Sequence, residues 1–295
     1  MKEVLLIINP NSGKLKNKSM LFDIINTMTQ NDCTVTVRIT QRIGDATLYA
    51  CEACNSDRYD IIVCSGGDGT LNEVTSGIAS CEKKLPLGYI PSGSTNDYAR
   101  SIGISSDIRT AARNAVCGEL HTIDMGKINE RYFNYIASFG AFTSVSYSAP
   151  QSLKKLLGHT AYVLEGIKDI AKIKSRHIRF ECDDQIYDDN YIFGAVSNTT
   201  SIGGIVHIDE SLVGLNDGLF EVCLVRKPRN PAELLQIISG ALNSDFSGKC
   251  FEFFKTDTIK ACFEEELPWS LDGEKHVTCG DVSIHIIKDA ITLIN

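Results

Sequence analysis

Three glycines within four residues mark the part of the sequence best suited to bind a phosphate. Residues 65–73 read S-G-G-D-G-T-L-N-E, where a strand-like run gives way to a helix-like one. Glycines let the backbone bend sharply and approach a ligand, and N–H groups at a helix start bind phosphate oxygens. Asp68 would be repelled by bare phosphate, so we expect it to hold a magnesium ion or a ligand hydroxyl. The alternative is a tight turn with a capping aspartate.

Two further polar loops follow strand-like runs. Residues 9–14 read N-P-N-S-G-K after the first run, and residues 91–97 read P-S-G-S-T-N-D after the fourth. Neither is a Walker loop, because the glycine spacing is wrong and Leu15 stands where Ser or Thr is required. Taken singly, each of these two loops is better explained as an ordinary turn than as a ligand site. Open α/β sheets bind ligands at the carboxyl ends of their strands, so three such loops together favour a ligand site.

Two aspartate-containing turns lie in the second half of the chain. Residues 270–274 read S-L-D-G-E, and one of the carboxylates there could accept a proton from an attacking hydroxyl. Residues 215–219 read L-N-D-G-L. By itself the first is a weak signal, since Asp-Gly is also a common hairpin turn, and the second is better explained as a turn before a strand.

Strand-like and helix-like runs alternate through the first hundred residues. Residues 4–9, 34–39, 59–64 and 87–90 predict strands. Residues 18–30, 45–54, 71–79 and 95–101 predict helices, with Asp45 as the N-cap of the second. This alternation predicts an α/β domain whose parallel sheet is covered on both faces.

Strands dominate the chain after residue 124. A hairpin is predicted around Asn129-Glu130, and helices at residues 153–171 and 231–242. Further strands are predicted at 178–182, 191–197, 219–225, 250–263, 270–277 and 282–287. We therefore expect an antiparallel β-sandwich domain at residues 125–287. The α/β domain would span residues 1–124, with a last strand at 288–295 returning to it.

Length and composition exclude several classes of protein. The 295 residues are enough for two domains. No apolar run approaches the roughly 18 residues of a spanning helix, and no signal peptide is recognisable, so we expect a cytoplasmic protein. The 11 cysteines are interpreted as reduced thiols. Cys51 and Cys54 form a C-x-x-C pair that is better explained as two thiols on one helix than as half of a zinc site.

The net charge of −8 argues against general nucleic-acid binding. Charge is unevenly distributed, because residues 151–180 carry seven basic and two acidic side chains. This basic segment is interpreted either as a membrane contact or as a solvated helix face.

The ordered set of motifs resembles the bacterial soluble diacylglycerol kinase and lipid kinase family, whose catalytic domain is shared with sphingosine kinases. The set comprises N-P-x-S-G, G-G-D-G-T-x-N-E, S-G-S-T-N-D, T-x-D-x-G, L-N-D-G-x-F and L-D-G-E. The resemblance extends from Leu5 to about Ile287. The resemblance implies an N-terminal nucleotide domain like those of NAD kinases and phosphofructokinases. It also implies a C-terminal β-sandwich and an active site in the cleft between the two domains.

The resemblance also implies roles for individual residues. Glu274 or Asp272 would be the general base, and Asp68, Asp97 and Asp124 would organise the catalytic magnesium. Gly214, Asp217 and Leu219 would hold a structural magnesium. The expected ATP contacts are Asn9, Pro10, Asn11, Ser12, Gly13, Thr40, Gly66, Gly67, Asp68, Gly69, Thr70, Leu71, Asn72, Glu73, Thr95, Asn96 and Asp97.

The expected reaction is transfer of the γ-phosphate of ATP to a lipid hydroxyl at a membrane surface. The acceptor stays open among diacylglycerol, phosphatidylglycerol, a sphingoid base and a polyprenol. An NAD kinase is a rival interpretation, but it would not combine L-D-G-E with N-D-G-x-F. A non-catalytic nucleotide or lipid sensor is another, but Asp68, Asp272 and Glu274 are all present. A symmetric homodimer is the default expectation for the assembly.

Overall fold

The structure is a computed structural model. It describes residues 1–13, 18–140, 174–183, 185–199, 201–202, 206–207, 214–243 and 245–295. The chain divides into two compact units, Met1–Met125 with Ile287–Asn295, and Gly126–Ile286. The predicted helix at 153–171 lies outside the described residues. No helix within the described ranges is long and apolar enough to cross a membrane.

The first unit is built on a parallel sheet. Its strands are β1 (Lys2–Ile8), β2 (Cys33–Ile39), β3 (Ile61–Gly66) and β4 (Leu87–Pro91), paired in the order β2-β1-β3-β4. The end of the last strand of the chain, β17 (Val282–Ile294), continues this sheet beside β4, with Leu293 opposite Leu87. The predicted α/β class with a parallel sheet is confirmed.

Helices follow the strands of this unit, and the sequence predicted all of them except the last. They are α1 (Lys18–Thr29), α2 (Asp45–Cys54), α3 (Asp68–Ala79), α4 (Asp97–Ser101) and α5 (Ile108–Cys117). Isoleucines, valines and leucines of β1 and β3 pack against Ile24 and Met28 of α1 and the alanines of α5. The sequence predicted Asp45 as the N-cap of α2, and that prediction is wrong. Gly44 takes that position with a φ of 90°, and Asp45 is the first helical residue.

The second unit consists mainly of antiparallel strands. They include β5 (Leu120–Ile128), which begins in the first unit, then β6 (Arg131–Phe133), β7 (Ile136–Gly140), β8 (Arg176–Cys182), β9 (Gln185–Ser197), β10 (Ser201–Ile202), β11 (Val206–His207), β12 (Phe220–Arg226), β13 (Phe251–Thr256), β14 (Thr258–Cys262), β15 (Leu267–Leu271) and β16 (Glu274–Thr278). A sixth helix, α6, spans Pro231–Asn243. The hairpin predicted at Asn129 joins β5 to β6.

Large aromatic side chains fill the core of this unit. Trp269 meets Phe139 edge-on, with ring centroids 5.1 Å apart, and Phe139 stacks on Phe180. The indole N–H of Trp269 donates to Thr278 Oγ1 at 2.9 Å, so this buried polar atom is satisfied. Strand β9 lies at the centre, because it pairs with β7, β8 and β12. The antiparallel strand region expected in the second half is confirmed.

Candidate nucleotide and catalytic sites

Three polar loops of the first unit are joined by hydrogen bonds at the carboxyl ends of β1, β3 and β4. Asn9 connects the first two loops, because its backbone N–H donates to Ser65 O at 3.0 Å. Its side-chain amide also donates to Thr70 Oγ1 at 2.9 Å. Asn11 N–H in turn donates to Asn9 Oδ1 at 3.0 Å, which closes the first loop. The sequence predicted this convergence, because neighbouring parallel strands end at one edge.

The second and third loops approach each other at glycines. A Cβ atom added to Gly93 would lie 2.6 Å from Gly67 Cα, so a side chain at Gly93 is sterically excluded. Asn96 holds the third loop closed, since its amide accepts from Gly93 N–H at 3.0 Å and donates to Gly93 O at 2.9 Å. This buried residue therefore has a structural role in the loop, and Thr95 and Asp97 beside it are exposed.

Helix α3 begins in the middle of this loop cluster. Its N-cap is Gly67, which provides no side chain to bind the first N–H groups of the helix. Such N–H groups, together with the helix dipole, are suited to bind an anion. Gly69, in the first turn, is exposed. Leu71, which the resemblance placed among the ATP contacts, has a buried side chain, so only its backbone is available.

The Asp68 carboxylate lies near a second carboxylate, that of Asp97. Its carboxylate accepts long hydrogen bonds of 3.4 Å from the N–H groups of Asp97 and Tyr98. Burial, followed by repulsion from the Asp97 carboxylate, raises the pKa of Asp68. The Asp97 carboxylate also pairs with Arg100 at 3.0 Å on the exposed side of the loop. A bound cation would relieve the repulsion that remains between the two carboxylates, and hard oxygen ligands suit Mg²⁺. Asp68 and Asp97 therefore fit a magnesium ion that accompanies a nucleotide.

Three other residues from the predicted set have structural contacts. Asp124 is fully buried, and its Oδ1 accepts from Asp289 N–H at 2.8 Å. Glu73 accepts from Gly44 N–H at 3.0 Å and Ala46 N–H at 3.2 Å, which caps α2 from the neighbouring helix. Thr40 continues the pairing of β2 with β1 through its N–H. The catalytic role of Asp124 and the ATP contacts of Glu73 and Thr40 stay predictions.

The Asp272-Gly273 pair forms the hairpin turn between β15 and β16. Both residues have positive φ, 49° and 91°, as a type I′ turn requires. The Asp272 carboxylate is buried and accepts three backbone N–H groups, from Asn134 at 2.5 Å, Tyr135 at 3.0 Å and Ile136 at 3.1 Å. Asp272 is therefore committed to holding the turn against the start of β7.

Glu274, at the start of β16, differs from Asp272 because it is exposed. Its carboxylate is thus open to solvent, whereas that of Asp272 is buried. His276 lies two residues further along the same strand, so its side chain points to the same face. Burial and the neighbouring Arg131 lower the pKa of His276, which favours the neutral imidazole. Sequence reasoning did not single out this histidine, because a lone histidine in a strand carries no motif.

In the loop expected to hold a structural magnesium, Asp217 is paired with Lys255 of β13. Asp217 Oδ2 accepts from Lys255 Nζ at 3.1 Å, and Oδ1 accepts from Leu219 N–H at 3.0 Å. Lys255 Nζ also lies 3.1 Å from an oxygen of Glu221. Within the described residues, no group of three or more His, Cys, Asp or Glu side chains could hold a metal. Magnesium at Gly214, Asp217 and Leu219 stays a prediction, and it would compete with Lys255 for Asp217.

Glu221 is the most deeply buried carboxylate near this loop. Its side chain is 0% exposed, and burial raises its pKa to about 7 although Lys255 opposes the shift. Sequence reasoning missed this residue, because its position on β12 shows only an ordinary polar residue between apolar ones.

Part of the basic segment at 151–180 lies within the described residues. Lys174 and Arg176 both form ion pairs with Glu265, and Arg179 pairs with Glu181. These three basic side chains thus pair with two carboxylates of the same chain. The other basic residues, Lys154, Lys155, Lys168 and Lys172, lie outside the described residues.

Comparison with known proteins identifies the family. The family model of the diacylglycerol kinase catalytic domain matches residues 3–128. The chain is 34% identical to a diacylglycerol kinase of Bacillus subtilis over 93% of its own length and 90% of that protein. It is 33% identical to a diacylglycerol kinase of Staphylococcus saprophyticus over 92% and 89%. A crystal structure of a putative diacylglycerol kinase from Bacillus anthracis superposes with a TM-score of 0.79 at 26% identity, covering 99% of this chain and 95% of that one.

Proposed function

The chain belongs to the diacylglycerol kinase family, and we propose that it transfers the γ-phosphate of ATP to the free hydroxyl of diacylglycerol, which gives phosphatidic acid. It is a lipid kinase, and the kinase family implies the use of ATP. One observation in this chain carries the proposal. Three loops at neighbouring strand ends are tied together around the uncapped start of α3, with Asp68 beside Asp97.

The nucleotide would bind through backbone groups of these loops. N–H groups at the start of α3 would donate to phosphate oxygens, while the exposed polar residues Asn11, Thr95 and Asp97 surround them. Asp68 and Asp97 would hold Mg²⁺, with Asp124 as the third carboxylate that the resemblance suggests. When bound, the ion neutralises charge on the phosphoryl group in transfer.

We assign the general base to Glu274. A general base must reach the proton of the attacking hydroxyl, and Glu274 is exposed whereas Asp272 is held by three N–H groups. Asp272 is then a positioning residue, because it fixes the turn from which Glu274 projects. This assignment chooses between the two carboxylates that the sequence left open.

Phosphorylation of a panel of acceptors with labelled ATP tests the proposal. Diacylglycerol, phosphatidylglycerol, a sphingoid base and a polyprenol would each be presented in mixed micelles, with NAD as a soluble acceptor. We expect the highest kcat/KM with diacylglycerol and no product with NAD. Preferred phosphorylation of another lipid would keep the kinase and change its substrate. Phosphorylation of NAD alone would overturn the lipid assignment.

A lipid acceptor also requires the enzyme to reach a bilayer. Peripheral binding through the basic segment is our proposal, and it is testable by co-sedimentation with vesicles. Binding should be stronger to vesicles containing anionic lipid than to neutral ones, and should fall as salt rises. A homodimer stays a prediction that sedimentation equilibrium would test.

A further inference from the structure

Three thiols meet where α2 packs against α3 in the first unit. Cys51 and Cys54 lie on α2, and Cys81 directly follows the C-cap of α3. The sequence singled out the C-x-x-C pair, but the structure gives Cys51 a different neighbour. The Sγ atoms of Cys51 and Cys81 lie 3.3 Å apart, although the two residues are separated by 30 positions. A disulfide bond is about 2.05 Å long, so the sulfurs need to approach by only about 1.2 Å.

The two helices hold these sulfurs in register. Glu73 of α3 accepts from N–H groups at the start of α2. One turn later in each helix, Gly77 of α3 lies against Thr47 of α2, so the two helices run in the same direction. Gly77 permits the close approach, because a Cβ added there would lie 2.5 Å from Thr47 O. Cys51 is one turn after Thr47 and Cys81 one turn after Gly77, so the same packing brings the thiols together.

We propose that Cys51 and Cys81 form a reversible oxidation site, which a peroxide converts into a disulfide that joins α2 to α3. In the first step Cys51 Sγ attacks one oxygen of hydrogen peroxide and the O–O bond breaks. Cys51 becomes a sulfenic acid, and the leaving hydroxide takes the thiol proton to form water. In the second step Cys81 Sγ attacks Cys51 Sγ, the S–O bond breaks, and a second water leaves. Two thiols are oxidised and one peroxide is reduced to two waters.

Burial sets the order and the speed of these steps. Cys51 is partly exposed and Cys81 is buried, so peroxide reaches Cys51 first. Burial, together with the neighbouring Cys51, raises the pKa of Cys81 to about 12. The thiolate is the reactive form, so ring closure is slow at neutral pH and accelerates as pH rises. A dithiol reductant reverses the reaction.

The disulfide would enclose the second of the three polar loops, residues 65–73, within its ring. The chain between Cys51 and Cys81 contains β3 and the start of α3, where the phosphate is proposed to bind. Closing this ring restricts the unfolded chain, so the oxidised protein should melt at a higher temperature than the reduced one. Since the reduced helices are already in close contact, the fold itself needs little adjustment.

Peptide mapping tests the site directly. The full-length protein is treated with hydrogen peroxide, its free thiols are alkylated, and it is digested with trypsin without reductant. Cleavage after Arg42, Arg58 and Lys83 should release residues 43–58 linked to residues 59–83. Because each peptide contains two cysteines, the Cys54→Ser variant serves as the matched control. The linked peptide should persist in Cys54→Ser and disappear in Cys51→Ser, in Cys81→Ser and after reduction.

The melting temperature gives a second readout. Oxidation should raise it by several degrees in the wild type and in Cys54→Ser, and should not raise it in Cys51→Ser. The exposed Cys117 and Cys279 report that peroxide was sufficient, because their oxidation shows in the same digest. Absence of the linked peptide once these two are oxidised would overturn the proposal. A linked peptide that survives in Cys51→Ser would also overturn it, because Cys54 would then be the partner. If Cys51→Ser fails to fold, fragmentation of the linked peptide from Cys54→Ser decides the pairing.

Discussion

Replacing Glu221 with glutamine should make the second unit more stable at pH 8 and leave it nearly unchanged at pH 5. Glu221 is 0% exposed on β12, and Lys255, at 3.1 Å, is its ion-pair partner. Burial raises its pKa from 4.5 to about 7, since the attraction of Lys255 does not offset the loss of water. The folded protein therefore keeps this carboxyl protonated at a pH where the unfolded chain has already released the proton.

The sign and size of the effect follow from that difference. Between pH 4.5 and pH 7 the folded state binds more protons than the unfolded state, so the free energy of unfolding falls as pH rises. Each pH unit in that window costs about 1.4 kcal/mol, which gives a loss of about 3 kcal/mol at pH 8. Glutamine has the shape of the neutral acid and cannot ionise. Glu221→Gln should therefore recover most of that loss, while Lys255 keeps its ion pair with Asp217.

Trp269 makes the measurement specific to the second unit. It is the sole tryptophan of the chain and is 2% exposed in the core of that unit. Urea unfolding followed by its fluorescence would give the free energy of unfolding at pH 5 and at pH 8 for each protein. Glu181→Gln is the matched control, because Glu181 pairs with Arg179 near the surface and such pairs contribute little. The control should change stability similarly at both pH values.

The reasoning would be refuted by one specific pattern. If Glu221→Gln is less stable than the wild type at pH 8, the ionised carboxylate is a net stabilising partner of Lys255. Loss of such a buried pair typically costs about 3–5 kcal/mol, so this outcome is easily distinguished from the expected gain.

Three further predictions concern the candidate catalytic machinery. Gly69→Val should stay folded and bind ATP roughly tenfold more weakly or worse by calorimetry, because the side chain would block the N–H groups at the exposed start of α3. Unchanged affinity would show that the phosphate does not bind at this loop. Glu274→Gln should bind ATP normally and lower kcat by about 10²–10⁴-fold, and near wild-type lipid phosphorylation would transfer the role of base to a neighbour such as His276. Asp272→Ala should destabilise the second unit by about 2 kcal/mol or more, because three backbone N–H groups lose their acceptor; a loss of kcat with unchanged stability would instead make Asp272 a catalytic group.

Much of the first unit could be predicted because its signals are local. Apolar runs ending in turn residues gave the strands to within two residues, and helical spacing gave α1 and α2. Helix α5 was missed although Asp107 caps it by accepting from Thr110 N–H at 2.8 Å. Its buried face is made largely of alanines, whose small side chains give a weak periodic signal.

Misplaced boundaries arose where long-range contacts or single turn residues decide the structure. Asp45 was predicted as the N-cap of α2, but the capping carboxylate belongs to Glu73, which is 29 positions from Gly44. Residues 250–263 were predicted as one strand, whereas β13 and β14 are separate and pair with different partners. The break falls at Asp257 between two threonines, and neither glycine nor proline marks it.

In the candidate site, too, features set by neighbouring residues were predictable and features set by residues distant in sequence were not. The convergence of three loops followed from strand order alone, so it was predictable. The difference between Asp272 and Glu274 was not, because the donors that fix Asp272 lie 136 to 138 positions away in sequence. A sequence motif therefore identifies a carboxylate, but it does not show whether the carboxylate oxygens already accept hydrogen bonds from the backbone.

Hydrogen-bond donors distinguish the carboxylates that can bind a cation from those that stabilise the fold. Asp272 has three backbone donors at 2.5–3.1 Å, which neutralise its charge without a metal. Asp68 accepts long hydrogen bonds of 3.4 Å from the N–H groups of Asp97 and Tyr98, and a second carboxylate, that of Asp97, lies nearby with Arg100 3.0 Å from it. Burial and repulsion from Asp97 raise the pKa of Asp68 although Arg100 pairs with Asp97, and a divalent cation would remove that repulsion while adding attraction to phosphate. The free energy gained on binding magnesium with ATP should therefore come mainly from Asp68 and Asp97, and not from the Asp-Gly-Glu turn.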